Sequence, residues 1–425
     1  MHAFPFRMVA FFLFAAFAIQ TAPVLAIPEP AQSPADQTAP SSAATEPDHT
    51  PATQTAAAAT ATEPALTPAQ DKAVIAAARK QLRTFGGKQP IPGVYIAIYM
   101  PGKAPYIKSV GMADVKTKAQ FRPDDRFRIG SNTKTFIVTI LLQLQDEHRL
   151  SLDDPISKFN IGVDIPNGNH ITIRQLAEMR SGLFEAYNTK QFNALHFGPN
   201  LRVSPQQMIR WGVAHKPLFP PGARWNYSNT NYLILGRVIE VATHDKLGSQ
   251  ICKRLTEPIG LNATVFPDTI GMPTPYARGY GLDAEGSWED VSETIPPSLT
   301  WAAGAMISTV PDMARWVKAY VSGTTNSAAS QRDRLRCSPI APNTKMAFGM
   351  GVGSSAGWYG YTGGLPGYHT AAYYLPARDI TVIAFVTAQR EKPFPGAANV
   401  IARDISRIIT PENVMFADAP TVEPH

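Results

Sequence analysis

The stretch "DDRFRIGSNTKTFIVTILLQLQ", Asp124–Gln145, sets a short strand-like run against an almost wholly apolar helix, with Ser131-Asn132-Thr133-Lys134 between them. Phe136, Ile137, Val138, Ile140, Leu141, Leu142 and Leu144 leave that helix almost no wet face, so it is expected to be buried. Residues three apart share a helix face, so Ser131 at the start and Lys134 one turn later project together. A serine hydroxyl is a poor nucleophile until a base takes its proton. A lysine is such a base only when neutral, and burial in apolar surroundings favours the neutral form. Free N–H groups at the helix start, that of Ser131 included, would face a developing oxyanion. The same residues also suit a plainer role, with Ser131 as an N-cap and Lys134 as a solvated first-turn residue. Roughly one Ser-x-x-Lys is expected by chance in a chain of this length.

Working outward, "GVYIAIYM" and "YIKSVGMAD" read as two strands joined by a Pro-Gly turn. Before them, Thr67-Pro68-Ala69-Gln70 is a capping box with proline at the first helical position. It opens a helix with Val74, Ile75, Ala78, Leu82 and Phe85 on one face, stopped by Gly86-Gly87. From about 152 to 291 helices alternate with Pro- and Gly-rich loops. Thr172–Gln175 and Ser204–Gln207 are further capping boxes there, and "NTNYLILGRVIEVATHD" is the strongest helix. "PDMARWVKAYVSG" is another helix, after which β patterns return in "FGMGVGS", "GYHTAAYYLP" and "DITVIAFVTA". A helix with Val400, Ile401, Ile405, Ile408 and Ile409 closes the body. The fold class is therefore α/β of the α+β kind: a mostly antiparallel sheet flanked by helices, with an inserted all-helical region.

Residues 1–26 of the 425 read as a secretory signal, with Arg7, the apolar run Met8–Ile19 and the small-residue site Val24-Leu25-Ala26. The run is short for a membrane span, although an uncleaved anchor is the alternative. Residues 27–66, rich in Ala, Pro and Thr, read as a disordered linker, 67–418 as the folded body and 419–425 as a tail. These features predict an exported protein, periplasmic or secreted, with no membrane span after signal cleavage. The net charge of +6 is spread without a basic block, so nucleic acid is not indicated. Cys252 and Cys337, the only cysteines, are either a disulfide or two unpaired buried thiols. No metal-ligand spacing occurs, so neither metal nor cofactor is expected.

Two further constellations carry chemistry. Tyr227-Ser228-Asn229 precedes a buried helix: a tyrosine there would shuttle protons and an asparagine amide would hold a substrate carbonyl. A buried tyrosine beside an asparagine N-cap is the plainer reading. In "YGYTGGLPGYHT", Gly363 and Gly364 would let a substrate lie along a strand edge, or else belong to an ordinary turn.

Together, Ser131-Asn132-Thr133-Lys134, Tyr227-Ser228-Asn229 and Tyr361-Thr362-Gly363 resemble the three motifs of the penicillin-recognising serine hydrolases. The tyrosine heading the second motif resembles the class C β-lactamase branch, which includes DD-peptidases and related esterases. Flanking phrases match as well: "RFRIGSNTKTF", "LSLDDPISKF", "ITIRQLAEMRSGL", "PPGARWNYSNTNYLILGRVIE" and "TWAAGAMIST". The resemblance implies Ser131 as the acylated nucleophile, Lys134 as its base partner and Tyr227 as proton relay to the leaving group. It implies Asn229 as a holder of the substrate amide and the N–H groups of Ser131 and Gly364 as the oxyanion hole. Thr362, Gly363 and Trp301 would complete the site wall. Tyr361 departs from the pattern, since the family carries lysine or histidine there to meet a substrate carboxylate. Tyrosine offers a neutral hydroxyl instead. His369, just beyond the motif, reads as a structural or surface histidine. The expected activity is that of a D-Ala-D-Ala carboxypeptidase on peptidoglycan-type peptides. An esterase or amidase, a β-lactamase, or a non-catalytic binder of wall fragments are the alternatives.

Overall fold

At Thr67 the chain enters helix α1 (Pro68–Gly86) through the expected capping box, Thr67 hydroxyl to Gln70 N–H and Gln70 side chain to Thr67 N–H. This computed structural model describes residues 63–390 and 395–417. The export signal, nearly all of the linker and the tail read from the sequence lie outside the described residues. The last residues assigned to that linker are nonetheless packed, with Pro64 bridged to Ala104 and Leu66 buried.

Strands β1 (Gly93–Tyr99) and β2 (Tyr106–Gly111) form the hairpin, Gly93 opposite Gly111. Strand β3 (Arg126–Arg128) leads through a 3-10 turn, Gly130–Asn132, into α2 (Thr133–Asp146). Then follow α3 (Ile173–Ala177), α4 (Lys190–Asn193), α5 (Pro205–Val213), α6 (Asn229–Thr243), α7 (Leu247–Ile251) and α8 (Glu257–Ile259). The capping box of α3 forms in full, whereas Ser204 makes only its own half, its hydroxyl accepting from Gln207 N–H. The inserted region is not wholly helical. Its end carries the separate hairpin β4 (Tyr280–Leu282) and β5 (Trp288–Asp290), strands too short to show a periodicity in sequence.

Helix α9 (Pro297–Gly304) is followed by β6 (Ile307–Thr309), paired antiparallel with β3, and by α10 (Val310–Ser322) and α11 (Ala328–Arg334). The last strands are β7 (Ser338–Pro339), β8 (Ala347–Phe348), β9 (Gly353–Ser355), β10 (Trp358–Leu365), β11 (Tyr368–Leu375) and β12 (Ile380–Val386), before α12 (Ala397–Ile409). The β pattern read in "FGMGVGS" is divided between β8 and β9, because Gly351 adopts φ +62 between them.

The main sheet runs β2-β1-β12-β11-β10-β9-β8-β7, antiparallel throughout. Its closure is β1 against β12, Val94 opposite Val386, which joins the two ends of the folded chain. Side chains alternate between two cores. Val94, Ile96, Ile98, Val382, Ala384 and Val386 pack with α1 and α12, while Tyr95, Ala97, Ile383 and Phe385 pack with α2 and α10. Burial on both faces explains why these central strands read as unbroken apolar runs. Gln81 donates to Asp404 at 2.7 Å, tying α1 to α12. Cys252 and Cys337 are unpaired, and Cys252 is exposed, so neither a disulfide nor two buried thiols describes them. Among the described residues no helix is long and apolar enough to cross a membrane.

Helix α6 meets α9 at Gly236, where a Cβ would stand 2.5 Å from Ala302 Cβ and 2.6 Å from Trp301 Cζ3. Gly236→Ala therefore forces two packed helices apart. The overpacking is expected to cost about 1–3 kcal/mol, outweighing the gain of roughly 1 kcal/mol from helix propensity. Urea unfolding checks this, and an unchanged midpoint would show that the α6–α9 contact yields freely.

Candidate active site

The four residues of the opening motif each have a separate attachment. Ser131 and Asn132 lie in the 3-10 turn, not yet in α2. Asn132 donates to Thr370 Oγ1 at 2.9 Å, fixing the turn to β11. Thr133 Oγ1 accepts from Met306 N–H at 3.1 Å, fixing it to the link between α9 and β6. Lys134, on the first turn of α2, has no exposed surface. Its Nζ lies 3.0 Å from Ser131 Oγ, 2.7 Å from Asn229 Oδ1 and 2.5 Å from the Ala303 carbonyl oxygen. The rings of Tyr227 and Tyr232 lie 5.2 and 5.4 Å from the same nitrogen. Ser131 Oγ also lies 2.8 Å from the Tyr227 hydroxyl.

Burial holds the Lys134 amine well below its ordinary value, and the Glu185 carboxylate opposes this in part. A neutral amine has two N–H donors and one lone pair. With Asn229 Oδ1 and the Ala303 carbonyl taking the donors, the lone pair is left for the hydroxyl proton of Ser131. Activation of a serine by a neutral lysine is what this arrangement can do.

The third motif reaches the site through backbone contact. A Cβ at Gly363 would stand 2.0 Å from the Ile129 carbonyl oxygen, and one at Gly130 2.8 Å from Gly364 N. Glycine at both places lets β10 lie directly against the turn that carries Ser131. Gly363 and Gly364 are thus strand residues, and the turn lies beyond them at Pro366-Gly367. Strand β9 pairs only with Trp358–Gly360, so the following stretch of β10 has no strand partner on that side among the described residues. Thr362 Oγ1 donates to the Thr370 carbonyl at 2.9 Å and lies 3.4 Å from His369 Nε2. Of the two readings of His369, structural or surface, the structural one holds. This histidine is buried, accepts the N–H of Ala398 at the start of α12 on Nδ1 at 3.3 Å, and has its pKa pushed down to about 4 by burial.

Tyr361 is buried, with its hydroxyl beside the phenol of Tyr227. Desolvation first, then the neighbouring phenols of Tyr227 and Tyr232, push its pKa well above the ordinary value. It is held edge-on by Phe348, centroids 5.7 Å apart, which in turn meets Trp225 at 5.9 Å. Trp301 adopts φ +33 inside α9, two residues before the carbonyl that accepts from Lys134. Asn229 is occupied at both ends, Oδ1 by Lys134 and Nδ2 by Glu185 at 3.0 Å. Glu185 is the site residue that the sequence did not reveal. Its one available signal was a carboxylate set between Phe184 and Ala186 in an otherwise apolar context. No cluster of three or more His, Cys, Asp or Glu is placed to hold a metal ion among the described residues.

A serine between a buried lysine and a tyrosine, beside a glycine-bearing stretch of an antiparallel strand left open on one side, defines a serine hydrolase. The family model described as Beta-lactamase matches residues 74–405, and the chain belongs to that family. A Bacillus subtilis (strain 168) protein whose name assigns it to the penicillin-binding proteins (PbpX) is 26% identical over 325 residues, covering 73% of this chain and 77% of that one. Protein flp of Staphylococcus aureus (strain N315) is 30% identical over 234 residues. The match covers 54% of this chain and 45% of that protein, so the chain spans under half of that relative's length. A D-stereospecific amidohydrolase from a Streptomyces species superposes with a TM-score of 0.69 at 29% identity, covering 79% of this chain and 99% of that one.

Two outcomes follow from these environments. The kcat/KM of the enzyme should fall on the acid side as Lys134 takes up a proton, with the limb far below the ordinary lysine value near ~10. Lys134→Ala should lower kcat/KM by roughly 10²–10⁴; a limb left near ~10 would exclude this lysine as base. For His369, the folded pKa near 4 lies below the ordinary 6.5. The folded state then binds fewer protons than the unfolded one between these values. Its stabilising share is complete above about 6.5 and is lost as pH falls towards about 4, a change of roughly 3 kcal/mol. Urea unfolding at pH 7 and pH 4 should show a smaller loss for His369→Gln than for the natural chain.

Proposed function

We propose that this protein is an acyl-enzyme amidohydrolase for D-amino acyl amides and peptides whose group beyond the scissile bond is uncharged. The observation that carries this is Tyr361. A buried, neutral phenol in an aromatic setting stands where the resemblance leads one to expect a cation. The 29% identity to the Streptomyces D-stereospecific amidohydrolase over nearly all of that chain supports the same substrate class. The signal-like residues 1–26 support action outside the cytoplasm.

In this reading Ser131 Oγ attacks the acyl carbon while its proton passes to Lys134 Nζ. The carbonyl oxygen becomes an oxyanion beside the N–H groups of Ser131 and Gly364. Tyr227, 2.8 Å from Ser131 Oγ, gives its proton to the departing amine and is reprotonated from Lys134. The C–N bond breaks and an ester on Ser131 remains. Water then cleaves the ester, its proton taken by the same groups, and the free acid leaves.

The direct test compares a short peptide ending in D-Ala-D-Ala with its C-terminal amide, using Ser131→Ala as control. The amide should be hydrolysed at least tenfold more efficiently, and Ser131→Ala should be inactive on both. Preference for the free carboxylate would instead establish the carboxypeptidase activity expected from the family resemblance. A fluorescent penicillin followed by intact mass separates the remaining activity, since fast loss of the adduct would indicate a β-lactamase.

A further inference from the structure

Glu185 sits in the loop between α3 and α4 with a buried carboxylate. Its Oε2 accepts from the backbone N–H of Asn229 at 2.7 Å and from Asn229 Nδ2 at 3.0 Å. Its Oε1 accepts from the backbone N–H of Tyr187 at 3.1 Å. These bonds join the loop to the first residue of α6. They also remove an ambiguity. An asparagine amide has a donor end and an acceptor end, and either can face a neighbour. A carboxylate accepts only, so it admits the Nδ2 end and turns Oδ1 the other way. On that other side, 2.7 Å away, is Lys134 Nζ.

We propose that Glu185 is a positioning residue of the catalytic site: its carboxylate fixes the orientation of the Asn229 amide and thereby presents an acceptor to Lys134. The amine is then held with its lone pair towards Ser131 rather than rotated away. The carboxylate does not touch Ser131 or the reacting carbonyl, so its effect on the reaction passes through Asn229. It also acts by charge. A buried anion one residue removed from the amine favours the ammonium form, against the desolvation that favours the neutral base. The groups facing Lys134 are Ser131 on its own turn, Tyr227, Asn229 and Tyr232 from α6 and the segment before it, the Ala303 carbonyl from α9, and Glu185 from its loop. Glu185 is faced by Lys134, Asn229 and Tyr187: burial pushes its pKa up, and the N–H donors of Asn229 and Tyr187 together with the Lys134 amine oppose this and favour the ionised form. Of these, Glu185 is the only carboxylate, so the sign of its removal is defined.

The inference rests on Ser131 chemistry but not on the amide substrate class, so a short nitrophenyl ester serves as the probe. Activity of the natural chain that does not depend on Ser131 would overturn the acyl-enzyme reading itself, and this is settled before any Glu185 variant is assayed. In Glu185→Gln, of nearly the same shape, one end becomes a donor facing donors. The expected result is a kcat lowered tenfold or more, with KM within threefold. The acid limb of the pH profile should move to lower pH, because the lysine loses the anion that favoured its protonation. In an Asn229→Ala background the same change should lower kcat less than twofold further, since there is no amide left to orient. Effects of the two substitutions that multiply, or an acid limb that stays in place, would overturn the proposal. Urea unfolding of each variant keeps a general loss of folded enzyme from being read as a loss of kcat.

Discussion

Everything in the site depends on keeping one amine dry. An ammonium at the position of Lys134 would have to be taken out of water among apolar side chains, and that cost acts directly on its proton. The condition is met because α2 is apolar almost all round, and because three other elements close over the amine. The start of α6 gives the side-chain oxygen of Asn229, α9 gives the Ala303 carbonyl, and the segment before α6 gives the ring of Tyr227. The same contacts that satisfy the nitrogen set its direction. Chemistry and packing are therefore one requirement here, and loosening any of the three elements changes the base as well as the core.

Close backbone approach is the second requirement, and glycine supplies it. Gly130 and Gly363 bring β10 against the serine turn, while Gly236 brings α9 against α6. Trp301 shows the local strain that accompanies this, since a positive φ is costly for a large side chain and persists only where the surroundings hold it. Asn132 and Thr133 then lock the serine turn to β11 and to the link between α9 and β6. The two residues between the serine and the lysine are thus fasteners.

Much of the fold was legible in the chain because the relevant patterns are local. The capping boxes at Thr67 and Thr172, the hairpin of β1 and β2 and the long helices α6, α10 and α12 follow from spacing of apolar residues and from turn chemistry. The misses share a different cause. The β4–β5 hairpin has three-residue strands, and the β8–β9 break depends on one glycine conformation. The state of Cys252 and Cys337 depends on elements far apart in sequence. Which of the two readings of His369 holds, structural or surface, depends on α12 packing its first turn against β11.

The amino-acid sequence by itself determined which groups are available: a serine and a lysine one turn apart on an apolar helix, a tyrosine ahead of another, and glycines on a strand. Those facts need only helical and strand geometry. What only the tertiary structure decided is how protons are distributed among them. The protonation of Lys134 depends on desolvation by residues more than ninety positions away, the facing of Asn229 on Glu185, and the neutrality of the Tyr361 pocket on Phe348 and Trp225. Electrostatic free energies follow distance and burial in three dimensions, and spacing along a chain carries neither.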